Sequence, residues 1–189
     1  MEECFVFIDN GFFKLVKKEF EKQSGKKLNF FKTFRNILKN ESLERKRVFI
    51  YDAPPYQSTR PTEFENKLKQ NYDRFTRMAK SKKWITFREG SCVRIKLNNG
   101  KYTFKQKGVD ALMIMDMYEC ILEFPIINKM ILIASDSDFV PIVEKMKKNN
   151  KEVILYTYFD RKRNSKFSTS NQLLKSVSRW NQLKKGDFE

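Results

Sequence analysis

The sequence contains no histidine, and this absence removes a large group of catalytic mechanisms. Ser-His-Asp and Cys-His hydrolysis both require an imidazole as the general base. A zinc site is also disfavoured, because Cys4, Cys92 and Cys120 share no paired spacing and no histidine can complete the ligand set. Carboxylates and metal ions are therefore the groups left to carry hydrolytic chemistry.

Disulfide frameworks and long apolar runs are missing as well. Three cysteines are an odd number, which indicates a reducing compartment. No apolar run approaches the ~18 residues needed to cross a bilayer. The opening residues MEECFV lack the basic and apolar regions of a signal peptide. We therefore expect a soluble, cytoplasmic protein with no membrane partner.

Basic residues, by contrast, are abundant: 39 Lys and Arg stand against 23 Asp and Glu, a net charge of +16. The 18 phenylalanines argue against a disordered chain, so the charge lies on a folded surface. Such a surface attracts polyanions through steering and counterion release. Nucleic acid is the expected partner, and a compositional bias of the source is the alternative interpretation of the charge.

Short apolar runs alternate with segments of helical spacing along the chain. Strands are predicted at 5–8, 48–51, 130–134 and 153–158, where apolar residues are nearly continuous, as in strands covered on both faces. Helices are predicted at 62–80, 109–124 and 139–149, with a C-terminal helix at about 170–184. This alternation predicts an α/β fold with a doubly wound parallel sheet, which binds ligands at the carboxyl ends of its strands.

One segment departs from this alternation. Asn98-Asn99-Gly100 between two β-type runs predicts an inserted β-hairpin at about 91–105. This hairpin is either a substrate arm or a dimer contact, which leaves a homodimer open. Two groups of basic residues are candidate nucleic-acid contacts: the hairpin group Arg94, Lys96, Lys105 and Lys107, and the group after the last predicted strand, Arg161, Lys162, Arg163 and Lys166.

Aspartates stand where the predicted strands end. Asp9 follows the strand at 5–8, Asp136 and Asp138 follow the strand at 130–134, and Asp110 opens the helix at 109–124. Clustered carboxylates repel one another unless a positive charge compensates them. Oxygen ligands without His or Cys select Mg²⁺ or Mn²⁺ over zinc. Such an ion activates water and stabilises the leaving oxygen of a phosphodiester.

Each acid also has a structural interpretation. Asp138 is a natural helix N-cap, and Asp110 near a helix start is favourable to the helix dipole. Asp116 lies six residues after Asp110, about 600° of helix rotation, so the two cannot share a face. Asp9 and Asp136 are harder to explain in this way, because an Asp after a wholly apolar strand needs partners. Spacing alone therefore leaves the metal site and the structural interpretation both open.

Four segments taken in order carry a family resemblance: FVFIDNGFFKLVKK at 5–18, RVFIYDAPPY at 47–56, KQKGVDALMIMDM at 105–117 and ILIASDSDFVPIVEKMKKNNKEVIL at 131–155. They resemble the NYN domain family, in particular its LabA-like branch, relatives of the PIN-domain nucleases. The resemblance covers nearly the whole chain and implies a single domain over 1–189. It further implies a PIN-like three-layer α/β/α sandwich around a central parallel sheet, with an acidic metal site.

The resemblance also assigns residues by position. It implies that Asp9, Asp110, Asp136 and Asp138 are catalytic, and that Asp9, Asp110 and Asp136 bind Mg²⁺ or Mn²⁺. It places Asn10 and Ser135 where polar groups hold water or a substrate phosphate. Asp116 matches the second acid of the KGVD motif and is either a residue behind the direct metal ligands or structural. Many relatives carry an Asp in the last helix where this chain has Ser178.

The leading hypothesis is a metal-dependent endoribonuclease that hydrolyses RNA phosphodiester bonds. A non-catalytic RNA-binding or regulatory module with a vestigial acidic site is the second hypothesis. A DNA nuclease of the related 5′-nuclease type is the third.

Overall fold

The computed structural model describes residues 1–160 and 165–188, and their strands and helices alternate. The described strands are β1 (Glu2–Asp9), β2 (Leu43–Asp52), β3 (Ile85–Glu89), β4 (Ser91–Lys96), β5 (Tyr102–Lys107), β6 (Lys129–Ile133), β7 (Glu152–Thr157) and β8 (Arg179–Gln182). The helices are α1 (Asn10–Ser24), α2 (Phe30–Asn40), α3 (Glu63–Lys80), α4 (Val109–Glu123), α5 (Val140–Lys148), α6 (Asn171–Ser176) and α7 (Lys185–Phe188).

Six strands form the central sheet in the order β3-β2-β1-β6-β7-β8, and all of their pairings are parallel. The chain winds outward from β1 in one direction and from β6 in the other. The junction of β1 and β6 is therefore the topological switch point, where doubly wound sheets bind their ligands. The predicted parallel sheet is confirmed.

The sheet is covered on both faces, which explains the nearly continuous apolar strands. Along β1, Val6 and Ile8 pack into one core with residues of α1 and α2, while Phe5 and Phe7 pack into a second core with residues of α4 and α5. All four residues are at most 1% exposed. The alternation follows from the two-residue side-chain period of a strand. The result is a three-layer α/β/α sandwich, as predicted.

The antiparallel pair of β4 and β5 confirms the predicted hairpin, which extends to Lys107. Gly100 adopts the left-handed backbone conformation in the turn, with φ 78°. Gly90 has a different role, because a Cβ atom there would lie 2.4 Å from the carbonyl oxygen of Lys107. Its amide also donates to the carbonyl of Asp52 at 2.9 Å. The absence of a side chain at Gly90 thus lets the hairpin base approach the end of β2.

The C-terminal helix predicted at about 170–184 is wrong beyond its first part. α6 ends at Ser176, and the extended residue Val177 leads into β8. The amide of Ser178 donates to the carbonyl of Val153 at 3.0 Å, and β8 then pairs with β7. Pairing with an existing sheet edge overrides the weak helical spacing of this segment. Four further elements, α1, α2, β3 and α7, were absent from the predicted set.

Candidate active site

Asp9 is the last residue of β1 and also the N-cap of α1. Its Oδ1 accepts a hydrogen bond from the amide of Phe12 at 3.1 Å, which fixes the carboxylate at the strand-to-helix turn. Burial raises the pKa of Asp9 to about 6 against the lowering effect of the Phe12 amide, and the charges of Asp110 and Asp52 raise it further. Asp9 therefore lies in a half-buried position with an excess of negative charge around it.

Asp110 reaches the same edge from the first turn of α4. The helix begins after Gly108, which has φ 78° and makes no side-chain cap. Burial raises the pKa of Asp110, the charges of Asp136 and Asp138 add to this, and Lys105 lowers it. The charge of Asp110 therefore acts on Asp9, and the charges of Asp136 and Asp138 act on Asp110.

Asp136 and Asp138 lie after β6, next to β1 in the sheet, and both side chains are exposed. The Oδ1 atom of Asp136 accepts from the amide of Asp138 at 3.0 Å and caps a short 3-10 turn over Ser137–Phe139. The N-cap role predicted for Asp138 is wrong, because α5 begins after Phe139 without a side-chain cap and the 3-10 turn before it is capped by Asp136. The half-buried Ser135 accepts from the amide of Ser170 through its carbonyl at 3.1 Å.

A fifth acid of this edge, Asp52 at the end of β2, was not among the predicted site residues. It is 1% exposed. Four groups donate to its carboxylate: the side chain of Asn10 at 2.6 Å, that of Gln106 at 3.2 Å, the amide of Ala53 at 2.9 Å, and the ammonium group of Lys14. The signal that identifies Asp9, an Asp after a wholly apolar strand, is also present in VFIYD at 48–52.

The sequence predicted that Asn10 holds water or a substrate phosphate. Asn10 is buried with no exposed surface, so direct contact with a substrate phosphate is ruled out. Its Nδ2 atom donates to Asp52. Its Oδ1 atom, in contrast, has no hydrogen-bond partner within the described part of the chain. An uncompensated buried oxygen of this kind is unfavourable by about 1–3 kcal/mol and marks a place where a donor or cation is accommodated.

Asp116 has structural partners instead. Its carboxylate accepts from the hydroxyl of Tyr51 at 2.8 Å and from the guanidinium of Arg88 at 2.9 and 3.0 Å. The Asp116 side chain is 5% exposed. Asp116 therefore links α4 to β2 and β3 through these hydrogen bonds. Asp110 and Asp116 have different neighbours, as their spacing predicts.

Basic side chains surround the acidic edge. On the hairpin, Lys105 is close enough to Asp110 to lower its pKa, and Lys107 directly precedes Gly108 at the start of α4. Arg94 lies 4.4 Å from the ring centre of Tyr102 and 5.1 Å from that of Tyr56.

The remaining basic residues of the predicted interface are Lys96, Lys166 and the group Arg161, Lys162 and Arg163. Lys96 is exposed near the hairpin tip. Lys166 is exposed and pairs with Glu19 at 3.4 Å. Arg161, Lys162 and Arg163 lie outside the described residues.

The aspartate carboxylates of this edge are oxygen donors, which suit a hard divalent cation. By themselves they do not form a complete set of metal ligands. Within residues 1–160 and 165–188, no group of three or more His, Cys, Asp or Glu side chains is arranged to hold a metal ion. Mg²⁺, however, typically binds one or two carboxylates and completes its coordination with water and substrate phosphates. Asp9 and Asp110, both with raised pKa, are two carboxylates of the kind that such a partial site would use.

The doubly wound parallel sheet, with acids gathered at its switch point, has the PIN-like nuclease fold. The model of the NYN domain family matches residues 4–179, and the chain therefore belongs to the NYN domain family. NYN domains are in general nucleases that act on RNA, and PIN-like nucleases typically use divalent metals.

Other comparisons concern the fold alone. A crystal structure of a protein of unknown function from Vibrio parahaemolyticus is similar over 99% of this chain and 95% of that chain, with a TM-score of 0.60 and 17% identity. No curated protein matches this chain. Within the described part of the molecule, no helix combines the length and the apolar character needed to cross a membrane.

Proposed function

We propose that this NYN domain is a metal-dependent endoribonuclease that hydrolyses RNA phosphodiester bonds at the carboxyl edge of the sheet. One observation carries the proposal: carboxylates from separate elements converge on the switch point, and burial with mutual repulsion raises the pKa of Asp9 and Asp110. Such an excess of charge disfavours the ionised forms unless a cation binds. A site that only stabilised the fold would not gain from this repulsion.

Asp9, Asp110 and Asp136 are the residues proposed to hold Mg²⁺ or Mn²⁺. When bound, the ion would supply a water of lowered pKa and stabilise charge on the scissile phosphate. Asp9 is kept in place by the Phe12 amide, so its orientation does not depend on the ion. Asp136 and Asp138 are exposed, so they meet the incoming substrate. Lys105 and Lys107 bind the phosphates on either side.

The LabA-like branch and an action on RNA in preference to DNA are parts of the same proposal. The net charge of +16 supports a polyanionic substrate, and the exposed hairpin supplies lysines next to the acids. Counterion release from the backbone then provides most of the affinity, irrespective of base sequence.

The test is a panel of matched RNAs and DNAs incubated in EDTA, Mg²⁺ or Mn²⁺. Wild-type protein should cleave RNA only with metal, and Asp136→Asn or Asp9→Asn should lower the rate by about 100-fold or more, because metal binding contributes several kcal/mol to the transition state. Asn caps a helix as well as Asp, so Asp9→Asn keeps the start of α1. Glu144→Gln, an exposed acid of α5, is the matched control and should cleave as wild type does.

Cleavage that survives both substitutions, in protein free of contaminating nuclease, would overturn the proposal. The non-catalytic RNA-binding alternative has its own signature: RNA binding without cleavage, and no rise in melting temperature at millimolar Mn²⁺. A ligand of the native state must raise that temperature by mass action.

A further inference from the structure

A cleft of about 500 Å³ opens beside the acidic edge, between α3 and the hairpin. Leu68, Tyr72 and Phe75 of α3 line one wall, Phe104 and Gln106 of β5 line the other, and Asp52 lies at the base. The volume is within the range of small-molecule sites, about 300–1,000 Å³, and the lining is mainly apolar with a few polar groups, as such sites usually are.

The cleft is continuous with the candidate active site through Gly11. A Cβ atom at Gly11 would lie 3.2 Å from Oδ1 of Asp9 and 3.2 Å from Oε1 of Gln106. Gly11 itself lines the cleft. A side chain at this position would separate the cleft from Asp9, so its absence places the contents of the cleft next to the acids.

Both walls of the cleft expose apolar side chains to solvent. Phe104 is 56% exposed even though the ring of Tyr56 packs on it at a centroid distance of 5.3 Å. Leu68 is 41% exposed on the opposite wall. An exposed aromatic ring facing an apolar wall across a cleft is a stacking site for a planar ligand, and stacking is the common way proteins hold unpaired bases.

Basic side chains lie beside these apolar walls. Lys14 and Lys18 of α1 line the cleft, and Lys14 lies 5.4 Å from the ring centre of Tyr72. On the cleft face of the hairpin, Phe104 is paired with Arg94 and Gln106 with Cys92. The sole acid among the described lining residues, Asp52, already accepts hydrogen bonds from four groups. The cleft thus suits a planar group attached to an anionic backbone.

The cleft also holds polar groups that can meet the edge of a base. Asn71 of α3 lines it, is exposed and makes no side-chain hydrogen bond to a described residue. Its amide offers two donors and one acceptor oxygen, which match the Watson–Crick edge of a nucleobase. A ligand without such hydrogen-bonding groups would leave the Asn71 amide hydrogen-bonded only to water.

We propose that the cleft binds one unpaired nucleobase of the RNA adjacent to the cleaved phosphate, which makes single-stranded RNA the substrate class. The base enters between Phe104 and Leu68, with Asn71 at its edge and Lys18 near the flanking phosphate. A base within a duplex is stacked on both faces and cannot enter. This inference rests on the proposed function only in taking RNA as the bound polymer, since base docking does not require hydrolysis.

The test uses short single-stranded RNAs that carry 2-aminopurine at one position at a time, bound to the protein in EDTA. One position should show a distinct fluorescence change, and an abasic residue there should weaken binding roughly five- to tenfold, the size expected for one base–aromatic stack. Phe104→Ala should cause a loss of similar size and remove the fluorescence change. Phe104→Trp should restore both, because a larger ring still stacks.

Phe64→Ala is the matched control, because Phe64 is an exposed aromatic residue of α3, 69% exposed, that does not line the cleft. It should bind as wild type does. A fluorescence change equal at all positions, an abasic RNA that binds unchanged, or a Phe104→Ala protein with full affinity would overturn the inference. Base docking without cleavage would refute only the proposed hydrolysis, whereas equal cleavage of duplex and single strands without docking would refute only the cleft.

Discussion

The side-chain amide of Gln106 donates from Nε2 to Oδ1 of Asp52 at 3.2 Å, a bond that joins β5 of the hairpin to the end of β2. Asp52 is buried and is held at the same time by Asn10 and Lys14 of α1. The hairpin is therefore attached to the sheet at the acidic edge itself. Its position and that of the acids are linked through one carboxylate.

Replacing Gln106 should loosen the hairpin. Gln106→Ala removes one donor and should lower the free energy of unfolding by about 1 kcal/mol. Gln106→Glu should have a larger effect, because it places a third negative charge beside Asp52 and Asp9. Hydrogen exchange of the β4 and β5 amides measures the effect, and Gln70→Glu on the exposed face of α3 is the control. Unchanged protection in the Gln106→Glu variant would contradict the attachment.

Asp116→Asn separates a structural role from a role at the metal. The substitution removes the charge that pairs with Arg88, and because the Arg88 side chain is 45% exposed and can be solvated, we expect a loss of about 1–3 kcal/mol of stability. Urea denaturation in EDTA gives the measurement, with Glu123→Gln, an exposed acid of the same helix, as the control. A stable Asp116→Asn protein that has lost metal-dependent cleavage would show instead that Asp116 acts at the metal.

The raised pKa of Asp9 predicts a dependence of stability on pH. The carboxyl has a pKa of about 6 in the folded chain and 3.8 as its ordinary value. The folded state therefore holds the proton more tightly, and ionisation of Asp9 destabilises it. This cost is absent below about pH 4, grows as pH rises to 6 and is complete above, where it reaches about 3 kcal/mol.

Asp9→Asn should accordingly be more stable than wild type at pH 7.5 in EDTA, and the two should converge below about pH 4. The N-cap is kept, so the difference reports the charge. Urea titrations across this range measure it, and Asp73→Asn, at a half-exposed acid of α3, is the control variant. Mn²⁺ should reverse the order of stability by binding wild type. An Asp9→Asn protein less stable than wild type at pH 7.5 would refute the account.

The hairpin lysines predict the salt dependence of RNA binding. For single strands, the slope of log K against log salt is about −0.7 for each phosphate neutralised. Lys105→Ala with Lys107→Ala should therefore reduce the slope by about 1.4 if each contacts one phosphate. Binding isotherms in EDTA at several salt concentrations provide the slope. Lys148→Ala, exposed in the last turn of α5, should leave it unchanged, and a double variant with the wild-type slope would exclude the hairpin from the interface.

The central strands and most of the acids were predictable because their signals are local. β1, β2, β6 and β7 are covered on both faces, so their sequences are nearly continuous in apolar residues. Asp9 ends one such run, and Asp136 follows another after Ser135. The edge strands β3 and β8 carry no such run, since each has only one neighbouring strand in the sheet. Their backbone pairing with β2 and β7 decided their conformation.

By itself, the sequence determined that the chain is basic, contains no histidine and carries acids at the ends of buried strands. Only the tertiary structure decided which of these acids lie close together. Asp116 is turned to Arg88 and Tyr51, while Asp52 is brought beside Asp9 from a strand more than forty residues away. A carboxylate has the same chemistry in either place, and its pKa, partners and exposure depend on neighbours that sequence spacing does not specify.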